Sequence, residues 1–223
     1  FSINELPDLA ERIQVSLFNL MEEKDIQIKG YRVRLPLDVY LVASANPEDY
    51  TNRGRIITPL KDRYGAQIRT HYPRLPEDEM RIMDQEMTSF PDMKDMVIIP
   101  QYIKEIIAEI TSLARRSGDI NQRSGVSVRV SIANYESVIS NAHRRSIQHR
   151  EEKVVPRISD LSAIIPSTMG KIELETLDDG REGKILEELT KKAVLNIFGR
   201  YMDVEELGDI VQGFEEGMVV ETG

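Results

Sequence analysis

Apolar residues recur every three to four positions over 8–22, at Leu9, Ile13, Leu17 and Leu20 or Met21, which predicts an amphipathic helix. The period then drops to two. Ile26, Ile28, Val33 and Leu35 alternate with Gln27, Lys29, Arg32 and Arg34 around Gly30-Tyr31, the pattern of a β-hairpin over 25–35. Val39-Tyr40-Leu41-Val42-Ala43 is a near-continuous apolar run, expected of a strand covered on both faces in a parallel sheet. Phe1-Ser2-Ile3 reads as the end of another buried strand, and 67–71 as a further strand ahead of Pro73 and Pro76.

Beyond those prolines the pattern is helical. Met80, Met83 and Met87 share a face, as do Ile103, Ile106 or Ile107, Ile110 and Leu113. Methionine stripes of this kind are read as core filling. Ser127 is placed to cap a helix that turns Val128, Ile132, Tyr135, Ile139 and Ala142 inward. Ser159-Asp160 looks like another helix start, stopped near Pro166. After a turn at Asp178-Asp179-Gly180, the residues Ile185, Leu189, Val194, Ile197 and Phe198 form one helical face over 184–202. Leu207, Ile210, Val211 and Phe214 form a shorter one. No internal repeat or low-complexity tract is evident, and 215–223 are given no partner element.

The chain has 223 residues, enough to bury a core in one large or two small domains. Cysteine is absent, which removes disulfides and thiolate metal sites; a reducing compartment fits, with the cytoplasm as the expected location. With 29 basic and 38 acidic side chains the net charge is −9, which disfavours broad binding to nucleic acid or anionic lipid. No run of about 18 apolar residues suggests a membrane span, and no basic region leads into an apolar stretch as in a secretory signal. His71, His143 and His149 do not make a ligand set, because His143 and His149 are six apart on one predicted helix. His143-Arg144-Arg145 with His149-Arg150 reads as a solvated helix end balanced by Glu151-Glu152.

Candidate chemistry lies in the first third of the chain. Hydrolysis of a nucleoside triphosphate needs a metal beside the phosphates, a carboxylate that aligns water, and positive charge that matters most in the transition state. Glu5 stands at the carboxyl end of a predicted buried strand, where parallel sheets bind ligands; alone it reads equally as a helix-start acid near Asp8. Asn46, at the end of the next predicted strand, would offer an amide to the same water, or else mark an Asn-Pro turn. Arg63, in Leu60-Lys61-Asp62-Arg63-Tyr64-Gly65, is either a guanidinium that reaches a neighbouring subunit's nucleotide or a surface arginine paired with Asp62. Arg129, in the first turn of the helix capped by Ser127, opposes the helix dipole by a few tenths of a kcal/mol. A bound phosphate would offset that, and a solvated arginine with a tolerated penalty is the alternative. No Gly-x-x-x-x-Gly-Lys-Ser/Thr occurs; Gly170-Lys171-Ile172 and Gly183-Lys184-Ile185 lack the upstream glycine and the following hydroxyl. The chain therefore reads as the back half of a nucleotide-driven machine.

These motifs, in order and spacing from Asn4-Glu5-Leu6-Pro7-Asp8-Leu9 through the hairpin and Leu35-Pro36 to Ala45-Asn46-Pro47-Glu48, resemble the magnesium-chelatase ATPase subunit and its MoxR-type relatives in the AAA+ superfamily. The resemblance covers roughly residues 1–146. It implies an α/β fold: a partial AAA+ core over 1–73 with a mostly parallel but incomplete sheet, then an all-α helical lid over 74–170. A helical extension, onto which nothing is carried over, would occupy 171–223. In those terms Glu5 is the Walker B catalytic glutamate, 25–35 the pre-sensor hairpin, Asn46 sensor 1, Arg63 the arginine finger and Arg129 sensor 2. ATP and Mg2+ are the implied cofactors of the complete protein. Asn4 stands where an aspartate usually holds the magnesium's water shell, which weakens the attraction for a hard cation. The implied assembly is a homo-oligomeric ring that remodels a protein partner, with a von Willebrand-type metal-site subunit as the candidate, in metal insertion or protein maturation. A catalytically silent interaction module is the alternative. Without a P-loop this stretch alone is expected to bind and hydrolyse ATP poorly.

Overall fold

The computed structural model describes residues 1–34, 40–46, 55–88, 95–175, 181–203 and 207–219. It is mostly helical and divides into two units, Phe1–His71 and Tyr72–Gly223.

In the first unit, β1 (Ser2–Ile3) pairs in parallel with β4 (Val42–Ala43), with Ser2 opposite Val42 and Ile3 opposite Ala43. The predicted hairpin forms from β2 (Asp25–Ile28) and β3 (Tyr31–Arg34). Its turn is Lys29-Gly30, one residue earlier than the sequence placed it; both residues have positive φ, 49° and 86°, as a two-residue hairpin turn requires. Leu35 and Val39, the outer ends of the predicted hairpin and strand, lie outside the described residues. The helix predicted over 8–22 is α1 (Glu11–Glu22), preceded by a 3-10 turn at Leu6–Asp8 with Pro7 in its first positions.

Three expectations for this unit are corrected. The buried face of α1 holds Gln14 and Leu20 while Ile13 is exposed, because Gln14 has backbone partners that apolar periodicity does not register. Its Nε2 donates to the carbonyls of Leu9 (2.9 Å) and Arg55 (3.1 Å), and its Oε1 accepts the Ile57 N–H (3.0 Å). The side chain thus binds residues 55–57 to α1, just ahead of α2 (Thr58–Lys61), whose Leu60 is fully buried. Residues 67–71 form no strand, and Ile68 is 88% exposed. A strand exists only as part of a ladder with a neighbour, and among the described residues no ladder includes 67–71. The apolar run before Asn46 does pair, with β1, but the two strands are not covered on both faces as predicted: Phe1, Tyr40 and Val42 are exposed.

The second unit is helical: α3 (Pro76–Glu86), α4 (Gln101–Ala114), α5 (Val128–His149), α6 (Ile164–Met169), α7 (Glu182–Tyr201) and α8 (Gly208–Glu215). Met80, Met83, Ile103, Ile106, Ile107 and Ile110 are buried in one core with Val130, Tyr135, Val138 and Ile139 of α5 and Leu186, Leu189, Ala193 and Ile197 of α7. The inward face of α5 is therefore rotated from the predicted one: Tyr135, Ile139 and Ala142 hold, whereas Val128 and Ile132 are half-buried. Pro166 does not stop a helix. A 3-10 segment over Ile158–Ala163 leads into α6 and puts Pro166 in its first turn, where the missing N–H has no intrahelical acceptor to lose. Residues 178–180, the predicted turn, lie outside the described residues.

A buried polar cluster fastens α3, α4 and α5. Arg115 donates from Nη1 and Nη2 to the two carboxylate oxygens of Glu79 (2.8 and 3.0 Å) and from Nε to the Val126 carbonyl (2.9 Å). The Ser131 hydroxyl donates to Glu79 at 2.6 Å. The Tyr72 ring covers the guanidinium at 4.4 Å, and its hydroxyl accepts the Val126 N–H. Gly125 sits against that hydroxyl with φ +70°, so a side chain there meets both strain and collision.

Candidate functional site

The candidate site is built on the carboxyl ends of β1 and β4. Parallel pairing carries the chain past Ile3 and Ala43 side by side: the Ser44 N–H donates to the Ile3 carbonyl (2.9 Å) and the Leu6 N–H to the Ser44 carbonyl (2.9 Å). Between those bonds lie Asn4 and Glu5, and the Ser44 side chain joins them. Its hydroxyl donates to Asn4 Oδ1 at 2.5 Å and accepts the Glu5 N–H at 3.1 Å. Glu5 has a left-handed backbone, φ 54° and ψ 56°, at a cost of about 1 kcal/mol for a residue with a Cβ. The Ser44 bond and the buried Leu6 and Pro7 that follow hold it there. Glu5 is half-buried, with no hydrogen bond or ion pair to its carboxylate among the described residues.

Asn46 is two residues beyond Ser44, exposed, on the same strand-end segment. Asn4 Oδ1, with Ser44 on one lone pair, keeps a second acceptor position suited to a metal-bound water. Among the described residues no three or more histidine or acidic side chains stand together in a metal-binding group.

Arg63, just after α2, is fully engaged inside the first unit. Its Nε donates to Glu22 Oε2 at 2.6 Å, Nη2 pairs with the same carboxylate, and Nη1 donates to the Pro59 carbonyl at 2.7 Å. The guanidinium carbon lies 3.9 Å from the centre of the Phe18 ring. Its partner is thus Glu22 rather than Asp62, since adjacent side chains on a helical turn point apart. Arg129 belongs to the second unit. Ser127 caps α5 as predicted, its Oγ accepting the Arg129 N–H at 3.2 Å, and the Arg129 side chain is exposed with no ion pair among the described residues.

Ser44, Glu22, Phe18 and Gln14 are the structural contributors that the sequence reading gave no role. Ser44 stood inside a recognised motif, two residues before Asn46, and its hydroxyl was the available signal. Glu22 and Phe18 are about forty residues from Arg63 and left no local signal. Clefts formed by the described residues line the second unit. One, about 360 Å³, lies between α4 and α7 beside Arg116, Asp119 and Lys192. Another, about 770 Å³, lies between α5 and α6 beside Ser140, Arg144 and Lys171. A third, of about 500 Å³, is apolar and borders α7.

Among the described residues no helix is long and apolar enough to cross a membrane. No protein-family model matches the chain. The chain is similar to the uncharacterized protein YeaC of Bacillus subtilis (strain 168), with 24% identity over 183 residues. The match takes in 74% of this chain and 54% of YeaC, so the chain spans about half the length of that curated relative.

Proposed function

We propose that this chain supplies the water-aligning half, the arginine finger and the helical lid of a ring-forming AAA+ ATPase, similar to the magnesium-chelatase ATPase subunit or MoxR-type proteins. The observation that carries the reading is the joined strand ends, where one serine hydroxyl ties Asn4 to the Glu5 backbone beside Asn46. An ordinary helix-start acid needs no such cross-strand link. In this reading Glu5 accepts the proton of the attacking water, and Asn46 orients that water. Asn4 accepts a hydrogen bond from the water shell of Mg2+, which when bound with ATP neutralises charge on the phosphates. Arg63 leaves Glu22 to reach a neighbouring subunit's nucleotide, and Arg129 closes on the phosphates from the lid. The turnover is coupled to remodelling of a partner, in metal insertion or protein maturation.

Glu5→Gln in the intact protein tests this. The variant retains nucleotide affinity while turnover falls by a hundredfold or more, because the carboxylate moves a proton rather than holding phosphate. Unchanged steady-state turnover removes Glu5 from the mechanism. An intact wild-type protein that neither binds nor hydrolyses ATP leaves the silent interaction module as the reading.

A further inference from the structure

Helix α7 carries two apolar stripes. Leu186, Leu189, Ala193 and Ile197 face the core. On another side Val194, Leu195 and Phe198 form the wall of the cleft of about 500 Å³, which Ile158 and Leu161 of the 3-10 segment complete and Lys191 rims. Leu195 is 67% exposed, and the cleft's surface is mostly apolar, with Ser159, Ser162 and Thr190 also on its lining. Of this stripe Val194 also packs against the core, whereas Leu195 and Phe198 stay exposed.

Helix α8 has the opposite deficit. Ile210, Val211 and Phe214 recur at helical spacing, yet none of its described side chains is buried, and Phe214 is 54% exposed. Eight residues do not hold a helix in water without a packed face. The chain thus presents an open apolar groove and an unsupported amphipathic helix at once. Their charges match as well: Glu215 and Glu216 follow the apolar face of α8, and Lys191 stands at the end of the groove nearer the start of α7.

We propose that α8 of one chain seats in the α7 groove of a second copy, antiparallel to α7, with Phe214 among Leu161, Leu195 and Phe198 and its acidic end at Lys191. The inference does not depend on the nucleotide reading. A groove on one copy and a helix on the next make a heterologous contact, which closes into a dimer when exchanged reciprocally or into a ring when passed on. The ion pairs set direction and register, and the apolar insertion supplies the affinity.

Because the chain contains no cysteine, the test is free of background. Leu195→Cys and Val211→Cys chains, mixed under mild oxidation, give a disulfide-linked dimer several-fold more abundant than either variant gives alone, and its yield rises with concentration. Adding Phe214→Glu to the Val211→Cys chain weakens association by about 30-fold or more, as loss of a central aromatic anchor does, while circular dichroism of the remaining helices is unchanged. A mixed yield no higher than that of the single variants overturns the proposal. So does a doubly substituted chain that closes on itself at high dilution, which would make the groove the seat of its own α8.

Discussion

At the residue scale, Ser44 is the side chain on which the candidate site turns. Ser44→Ala removes one bond to Asn4 and one to the Glu5 N–H, and leaves the left-handed glutamate held across the strands only by the backbone bonds on either side of it, Ser44 N–H to Ile3 and Leu6 N–H to Ser44. One such bond is worth about 1 kcal/mol, so in the intact protein kcat is expected to fall about fivefold with the fold retained, measured as steady-state ATP turnover. Ser44→Thr keeps the hydroxyl and should recover most of the loss. In the second unit Tyr135 makes a separate claim. Burial, and then the Asp84 carboxylate that its hydroxyl meets at 3.0 Å, raise the phenol well above its ordinary value near 10, despite Lys104 lying 5.9 Å from the ring centre. The stability conferred by the neutral phenol is complete below that ordinary value. It is lost as pH rises past it toward the folded value, since the unfolded chain releases the proton first. Chemical denaturation between neutral and strongly alkaline pH should show this loss, and Tyr135→Phe should make it shallower. Burial shifts Tyr64 in the same direction, so the dependence is reduced rather than abolished.

At the element scale, α3, α4 and α5 are joined by polar groups as well as by their isoleucine and methionine faces. Glu79 is almost wholly enclosed and accepts from Arg115 twice and from Ser131 once. Arg115→Ala leaves that carboxylate buried without its cation and is expected to cost about 3–5 kcal/mol in chemical denaturation, whereas removing both charges together costs less than the two single changes summed. Apolar periodicity identified these helices, but it had no means of finding the pair, since Glu79 and Arg115 are 36 positions apart and each looks like a surface charge on its own helix. The same limit explains Gln14, which occupies a core position on α1 through three backbone hydrogen bonds.

At the scale of the whole molecule, the contact between Arg63 and Glu22 bears on assembly. An arginine that serves a neighbour's nucleotide has first to leave Glu22, Pro59 and Phe18. In the intact protein, mixing Arg63→Ala subunits with Glu5→Gln subunits should restore activity at those interfaces where an intact Glu5 meets an intact Arg63. Rings that demonstrably mix but remain inactive would argue against action across the interface. This chain by itself, with no Gly-Lys-Ser/Thr loop to surround the phosphates, is expected to bind magnesium-ATP weakly; calorimetric titration giving micromolar affinity at one site per chain would mean that the nucleotide sits elsewhere.

Local pattern determined the elements whose cause is local: the hairpin, though with its turn set one residue late, the Ser127 cap, and the helices whose buried stripes recur at 3.6 residues. It also determined the order Asn4, Glu5, Asn46, Arg63, since a motif is a matter of spacing. Tertiary structure alone decided which residues hold those groups. A strand at 67–71 requires a neighbouring strand to form a ladder with, and no ladder among the described residues includes it. The role of Ser44 follows from the parallel register of β1 and β4, and the partner of Arg63 from the packing of α1 beside residues 55–63. Hydrophobic period records which side of an element is dry, whereas cross-strand bonds and buried ion pairs depend on which segments meet, and segments distant in sequence carry no mark of that meeting.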